Sequence, residues 1–259
     1  MTQNPYKKVI VLSDLQQPFT DKKSLAAVEN FMYEVRPDEI IYDGDIVDFP
    51  TLSDHAQDPG LSKGQLLDTI ETVCDMFRRH QALFVGDQPV YRWLAGNHED
   101  RLRRFLWTRA RELWGVDSLT IPSLFHLDRH EAPIPFTEYD EGVVIRDVFQ
   151  IVHGTIVRKH SGDSARAMFD KYHMSGVSGH THRLGTYYKR AWKETYVWAE
   201  NGCLCDINPR AAWSKHWARF PDWQQGFTMV TFPGPGKRFF LEQFPIVNHK
   251  FVYGGKVYD

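Results

Sequence analysis

The sequence predicts an α/β fold in which two sheets pack face to face with helices on the outside. Three observations carry this reading. Through the first half, short continuous apolar runs alternate with amphipathic segments of helical period, the pattern of strands buried on both faces and joined by crossover helices. From Ile134 onward, short strand-like runs follow one another with turn signals between them, so sheet dominates the second half. Several of the apolar runs also stop in the same way, at an Asp, an Asn or a His.

The elements follow in order. Val9-Ile10-Val11-Leu12, within Lys7 to Ser13, is the first strand and ends in Asp14-Leu15-Gln16-Gln17-Pro18. Asp21 caps a helix carrying Leu25, Val28, Met32 and Val35 on one face, closed by Pro37. Glu39-Ile40-Ile41-Tyr42 is the second strand, ending in Asp43-Gly44-Asp45-Ile46-Val47-Asp48. The polar stretch from Phe49 to Gly64 is long for a connection at a strand end and reads as a lid or substrate loop. A second helix aligns Leu66, Ile70, Val73 and Phe77. Val90 to Ala95 forms a strand that turns on Gly96 into Asn97-His98-Glu99, so that the opening N–H groups of the next helix face an anion. That helix is expected from Asp100 to Trp114, with Leu102, Phe105, Leu106, Ala110 and Leu113 inward and Arg104 and Arg111 outward.

Strand-like runs then cover Ile134 to Tyr139, Val143 to Arg146 and Val148 to Val152, the last ending in His153-Gly154. A helix fits Asp163 to Tyr172, and Ser175 to Ser178 leads into Gly179-His180-Thr181-His182. Tyr187-Tyr188 with Thr195 to Trp198 suggests one hairpin. Phe227 to Phe232 and Phe239 to Phe244, flanking Pro233-Gly234-Pro235-Gly236, suggest another. No internal repeat or linker interrupts the chain, and residues 1–259 are read as one domain.

Composition excludes several classes. A formal charge of −2 and an isoelectric point near 6.6 give no global drive toward nucleic acid or an anionic membrane. No apolar run reaches the ~18 residues of a membrane span, and Met1 to Lys8 is polar where a signal peptide needs an apolar core, so a cytoplasmic, soluble protein is expected. Cys74, Cys203 and Cys205 lack zinc-finger spacing and read as reduced thiols, with Cys203 and Cys205 on one face of an extended segment. Gly234-Pro235-Gly236-Lys237 lacks Walker spacing, and there is no Gly-x-Ser-x-Gly elbow.

Open α/β sheets bind ligands beyond the carboxyl ends of their strands. Here those ends carry Asp14, Asp45, Asn97, His153, His180 and His182. Carboxylates, imidazoles and an amide oxygen together are a ligand set for divalent metals. They exceed the needs of one tetrahedral ion, and two ions sharing a carboxylate is the economical arrangement. The i, i+2 spacing of Asp14/Gln16 and of His180/His182 puts each pair on one side of an extended chain.

Asp14-x-Gln16, Gly44-Asp45-x-x-Asp48, Gly96-Asn97-His98-Glu99, Val152-His153-Gly154 and Gly179-His180-Thr181-His182 resemble, in this order, the motif blocks of the calcineurin-like metallophosphoesterases. The resemblance runs from about Val9 to Phe232. It implies a four-layer α/β/β/α sandwich of two mixed sheets and a binuclear metal-dependent phosphoric ester hydrolase. By the same resemblance, Asp14, Asp45 and His182 would hold the first metal ion, and Asp45, Asn97, His153 and His180 the second, with Asp45 bridging. His98 would serve the leaving group rather than a metal, which makes Asn97 and His98 the catalytic pair. Two ions ~3.5–4 Å apart turn a bridging water into hydroxide near neutral pH, which attacks the phosphorus in line. Glu99 or Asp48 is expected to hold a histidine tautomer.

One departure bears on the metal. The family pattern begins Asp-x-His, whereas this chain has Gln16, a neutral, hard oxygen donor suited to Mn²⁺ or Mg²⁺. Two Mn²⁺ ions are therefore expected, with Mg²⁺, Zn²⁺, Fe or Ni²⁺ as alternatives. Asp-x-Gln together with Asn201-Gly202-Cys203-Leu204-Cys205 and Trp223-Gln224-Gln225-Gly226-Phe227 resembles members carried by phages and prophages.

Arg101 is a candidate contact for a substrate phosphate, and the run Arg158-Lys159-His160 reads either as a second such contact or as a solvated charge run. Trp213, Trp217 and Trp223 alternate with Lys215, His216 and Arg219, and read either as core packing or as a stacking surface for single-stranded bases. The expected partner is a phosphate mono- or diester. Nuclease action on DNA or RNA is the alternative, without support from net charge. A low-turnover binding module ranks behind both, because a scaffold has no use for His98.

Overall fold

A computed structural model describes residues 6–53, 65–208 and 221–259. Strands β1 (Lys7–Leu12), β2 (Glu39–Asp43) and β3 (Val90–Leu94) are parallel neighbours, connected through α1 (Lys22–Val35) and α2 (Gln65–Ala82). Asp21 caps α1 by accepting from the backbone N–H of Lys23 and Ser24, and Arg36 ends it in the left-handed conformation just before Pro37. After α3 (Asp100–Arg109) and the short α4 (Ile121–Leu124), the two-residue β4 (Phe136–Thr137) extends the sheet beside β3. The antiparallel pair β10 (Gly226–Phe232) and β11 (Phe240–Pro245) completes it on the other side, giving the order β11-β10-β1-β2-β3-β4.

The second sheet contains β5 (Val143–Ile145), β6 (Phe149–Ile151), β7 (Ser175–Ser178), β8 (Leu184–Arg190) and β9 (Thr195–Asn201) in the order β5-β6-β7-β9-β8. Its inner neighbours are parallel and its two edge pairs antiparallel, so both sheets are mixed. Helix α5 (Asp163–Tyr172) crosses from β6 to β7.

The period of two along each strand sorts the core into layers. Ile10, Leu12, Ile40 and Tyr42 point to the helix side with Phe31, Met32 and Phe77. Val9, Val11, Ile41 and Leu94 point the other way, against Ile145, Phe149, Ile151, Val177 and Ala199 of the second sheet. On the far face of that sheet, Ala165, Met168 and Phe169 of α5 cover Val152 and Trp198. The result is the α/β/β/α sandwich the sequence predicts. The continuous apolar runs of β1 and β2 follow from having both faces buried.

Several expectations need correction. The third helix stops at Arg109 rather than Trp114, because Ala110 leaves helical geometry at φ −142°, and Leu113 is 48% exposed rather than inward. The strand expected over Ile134 to Tyr139 shrinks to β4. A C-terminal hairpin of β12 (Phe251–Tyr253) and β13 (Lys256–Tyr258) was not anticipated, although its two-residue Gly254-Gly255 loop, with positive φ at both glycines, is a strong hairpin signal. Phe49 and Pro50 open the stretch read as a lid and are buried, Phe49 against Phe125. The remainder of that stretch from residue 54, and Trp213, Lys215, His216, Trp217 and Arg219, lie outside the described residues. Among the described residues, no helix is long and apolar enough to cross a membrane.

The hairpin seals the helix side of the first sheet through Phe31. That ring meets Phe227, Phe244, Phe251, Tyr253 and Tyr258 with centroids 5.1–5.5 Å apart. Phe31→Ala should therefore cost about 3–5 kcal/mol in denaturant unfolding. A loss below ~1 kcal/mol, the scale of a surface substitution, would show that this cluster does not hold the hairpin to the domain.

Candidate metal centre

Asp14 follows β1, Asp45 follows β2, Asn97 and His98 follow β3, His153 follows β6, and His180 and His182 follow β7. The strand ends of both sheets meet at one rim. Four of these residues, and Gln16 beside them, leave the strand direction through left-handed backbone: Asp14 (φ 53°), Gln16 (52°), Asp45 (51°), His180 (70°) and His182 (56°). Each such non-glycine residue costs ~1–3 kcal/mol and persists only where its surroundings over-determine it. Here the loops are cross-tied: Asp14 N donates to Gly44 O at 3.0 Å, Gln16 N to Asp45 O at 2.9 Å, and Gln224 N to His182 O at 2.8 Å.

Two glycines make room. A Cβ on Gly96 would lie 2.2 Å from Asp45 Oδ1, and one on Gly179 would lie 2.7 Å from Asp14 Oδ2. Gly96 is thus required for close approach and not for a positive φ, which corrects the reading of a turn that hinges on it.

The side chains form two triads whose ligand atoms lie within 4.8 Å of one another, Asp14/Asp45/His182 and Asp45/His153/His180, with Asp45 common to both. His182 Nε2 is 3.1 Å from Asp14 Oδ1, and His153 Nε2 is 3.3 Å from Asp45 Oδ2. Asn97 Oδ1 lies 2.7 Å from His180 Nδ1 and 3.3 Å from His153 Nε2. Gln16 Nε2 lies 3.3 Å from Asp45 Oδ2 and 3.4 Å from His182 Nε2, while its Oε1 is buried without a hydrogen-bond partner. A half-turn of that amide exchanges the two atoms and aims the orphaned oxygen at the triad. The donor set of carboxylates, imidazoles and amide oxygens fits divalent cations, and the unpartnered Gln16 oxygen adds one more hard donor to it.

Electrostatics point the same way. Burial pushes the Asp45 carboxyl up, but the His153 and His98 imidazoles outweigh it and hold the group well below the usual carboxylate range. Burial depresses His153, yet Asp45, with Asp14 and Asp43 behind it, raises it well above an ordinary imidazole. Burial likewise depresses His182, and the Asp14 carboxylate raises it to about 9. His180 is pushed down to about 4 by burial and by His153, and so is neutral. Without metal, protons on His153 and His182 supply the positive charge the buried carboxylates need.

His98 stands beside the triads. Its N–H donates to Asp45 Oδ1 at 2.9 Å, and its Nδ1 is 2.6 Å from Asp48 Oδ1. Asp48 therefore takes the histidine-holding place that the sequence left between Asp48 and Glu99. Glu99 is buried and acts on backbone instead, accepting from the N–H groups of Gly96 (2.7 Å), Asp45 (2.9 Å), Ile46 (2.8 Å) and Val47 (3.2 Å). The anions expected at the start of the third helix are thus this chain's own Glu99 and Asp45. The tautomer of His153 is held by a backbone carbonyl, Asp43 O, 2.7 Å from Nδ1.

Arg101 is at the site: its guanidinium donates to Asp48 O at 2.5 Å and lies 3.2 Å from His98 Nε2. Arg158, Lys159 and His160 are exposed, in the segment between β6 and α5. Sequence reasoning missed Cys205, whose Sγ is 3.8 Å from His182 Nδ1, and did not place Trp223 against the His182 ring, 4.5 Å between centroids. The Cys203-x-Cys205 alternation was the available signal, since it sets both thiols on one side.

Carboxylates and histidines from the strand ends of both sheets thus gather at one rim of a double-sheet sandwich. The calcineurin-like phosphoesterase family model matches residues 7–216, and the chain belongs to that family. It is similar to the Gene 54 proteins of two mycobacteriophages. One is from Mycobacterium phage L5, 26% identical over 273 residues, and the other from Mycobacterium phage D29, 24% identical over 279 residues; each match spans 98% of this chain and 99% of the relative. Among solved structures, Vacuolar Protein Sorting 29 from Cryptosporidium parvum is similar at a TM-score of 0.48 and 15% identity, over 97% of this chain and 94% of that one.

A pH dependence follows for metal-stripped protein. The raised proton affinity of His182 stabilises the fold fully below its unfolded value of 6.5, and that contribution is lost as pH rises through about 9. The linkage is worth about 3 kcal/mol, with His153 acting in the same direction. Thermal unfolding in chelator should show Tm falling between pH 6.5 and 9. A flat Tm across that window would contradict the proton-filled site.

Proposed function

We propose that the protein hydrolyses phosphate mono- or diesters with two divalent metal ions, Mn²⁺ foremost. The observation that supports this best is the pair of ligand triads sharing Asp45, set beside a histidine that belongs to neither. In this reading Asp14, Gln16, Asp45 and His182 hold one ion, and Asp45, Asn97, His153 and His180 hold the other. When bound, the ions supply Lewis acidity to the phosphoryl oxygens and to the attacking water.

The chain's own residues do the rest. Asp45 carries negative charge for both positions, and its backbone is fastened by Glu99. Asp48 fixes His98 through Nδ1, which leaves Nε2 to deliver a proton to the departing oxygen. Arg101, gripped by Asp48 and next to that nitrogen, places a fixed positive charge where a phosphate oxygen would lie. Gln16, as a neutral oxygen donor, favours a hard cation in its position.

The test is hydrolysis of a chromogenic phosphodiester and the matching monoester by metal-stripped protein titrated with Mn²⁺, Mg²⁺, Zn²⁺ and Ni²⁺. Turnover should require metal and vanish in Asp45→Ala. His98→Ala should lower it by about 10²–10⁴ with metal binding retained. No turnover of either ester by folded, metal-loaded protein, or an undiminished rate in His98→Ala, would overturn the assignment.

A further inference from the structure

The segment after β9 brings two thiols to the far edge of a proposed metal ligand. Cys203 pairs with Gln225, Cys205 pairs with Thr20, and Leu204 N donates to Asp14 O at 3.2 Å, so both cysteines are fastened beside the Asp14 loop. Both are fully buried and free. Their sulfurs and a His182 nitrogen lie within 4.8 Å of one another. Cys205 Sγ is 3.8 Å from His182 Nδ1, on the opposite edge of the ring from Nε2, which faces Asp14 at 3.1 Å. Ligands of a tetrahedral cation with ordinary Zn–S and Zn–N bonds sit about 3.5–3.8 Å apart. Little movement is therefore needed to close three donors around an ion.

We propose that Cys203, Cys205 and His182 Nδ1 form a third cation site, for thiophilic divalent ions such as Zn²⁺, Cd²⁺ or Co²⁺, and that filling it empties the metal position at Asp14, Gln16, Asp45 and His182. Two sulfurs and a nitrogen are a soft set, whereas the rim offers mainly oxygen and imidazole. The exclusion follows from the ring itself. A neutral imidazole has one bare nitrogen, so coordination through Nδ1 leaves the proton on Nε2. That proton is then donated to Asp14 Oδ1, at the 3.1 Å already present. The rim loses its histidine, and one Asp14 oxygen is taken. Filling the thiol side of the metal-stripped protein releases three protons to solvent, the two from the thiols and the one on His182 Nδ1.

This inference rests on the role given to His182 under Proposed function, and the test separates the two. Full-length, metal-stripped protein is titrated with Co²⁺ and read by thiolate-to-cobalt charge-transfer absorbance. Free Mn²⁺ is measured by electron paramagnetic resonance in parallel samples. The band should appear in the wild type and in Cys74→Ser, and disappear in Cys203→Ser and in Cys205→Ser. Alanine replaces serine at either position if serine destabilises the fold. Cobalt bound at the thiols should weaken one Mn²⁺ equivalent at least tenfold.

Absence of a band in folded protein, or a band that survives both cysteine substitutions, would overturn the third site. A cysteine-dependent band with Mn²⁺ affinity unchanged would overturn the exclusion. If cobalt-free protein binds no Mn²⁺, the proposed function fails, and the exclusion with it.

Discussion

The structure is arranged around the buried Asp45 carboxylate. An anion with 2% exposure is costly unless positive charge or hydrogen bonds surround it. His153, His98 and the Gln16 amide approach its oxygens, and the His98 N–H donates to it. Asp14 and Glu99 are also buried nearby, and burial pushes the Asp43 carboxyl well above the usual range. So much acid at one rim demands cations, and in the metal-free protein the imidazolium protons fill that demand. The same electrostatics that would bind metal thus set the proton inventory of the rim in metal-stripped protein.

That arrangement is held at the expense of backbone comfort. Asp14, Gln16, Asp45, His180 and His182 all adopt a left-handed conformation that L side chains disfavour. The two sheets make this tolerable by presenting their strand ends to one another, so each loop is tied to its neighbour by main-chain bonds. Glu99 contributes most: its two oxygens collect four N–H groups from the Gly96 turn and the Asp45 loop. A residue that touches no proposed ligand atom therefore shapes the centre of the site. The inter-sheet core of Val9, Val11, Ile41 and Leu94 keeps the two rims in register.

Much of this was legible in the sequence where the physics is local. Strands buried on both faces read as continuous apolar runs, and β1 and β2 appear where Val9 and Ile40 announced them, while β3 follows from the mostly apolar run that begins at Val90 and admits a half-buried Arg92. The Asp21 cap and the α5 boundaries follow from the same local rules. The candidate ligands were legible because several Asp and His residues stand just past apolar runs, at strand ends that the two sheets bring to one rim. What was illegible depends on tertiary partners. Whether Glu99 meets a histidine or backbone N–H groups is decided by how the Asp45 loop folds over it. The early end of the third helix turns on Ala110, which nothing in its neighbours' propensities requires.

The central claim is that Asp45 belongs to two metal positions at once. The most direct measurement is the electron paramagnetic resonance spectrum of metal-stripped protein loaded with two equivalents of Mn²⁺. A shared carboxylate predicts an exchange-coupled pair, replaced in Asp45→Asn by the signal of isolated ions. Two magnetically independent ions in the wild type, or coupling that survives Asp45→Asn, would contradict the account.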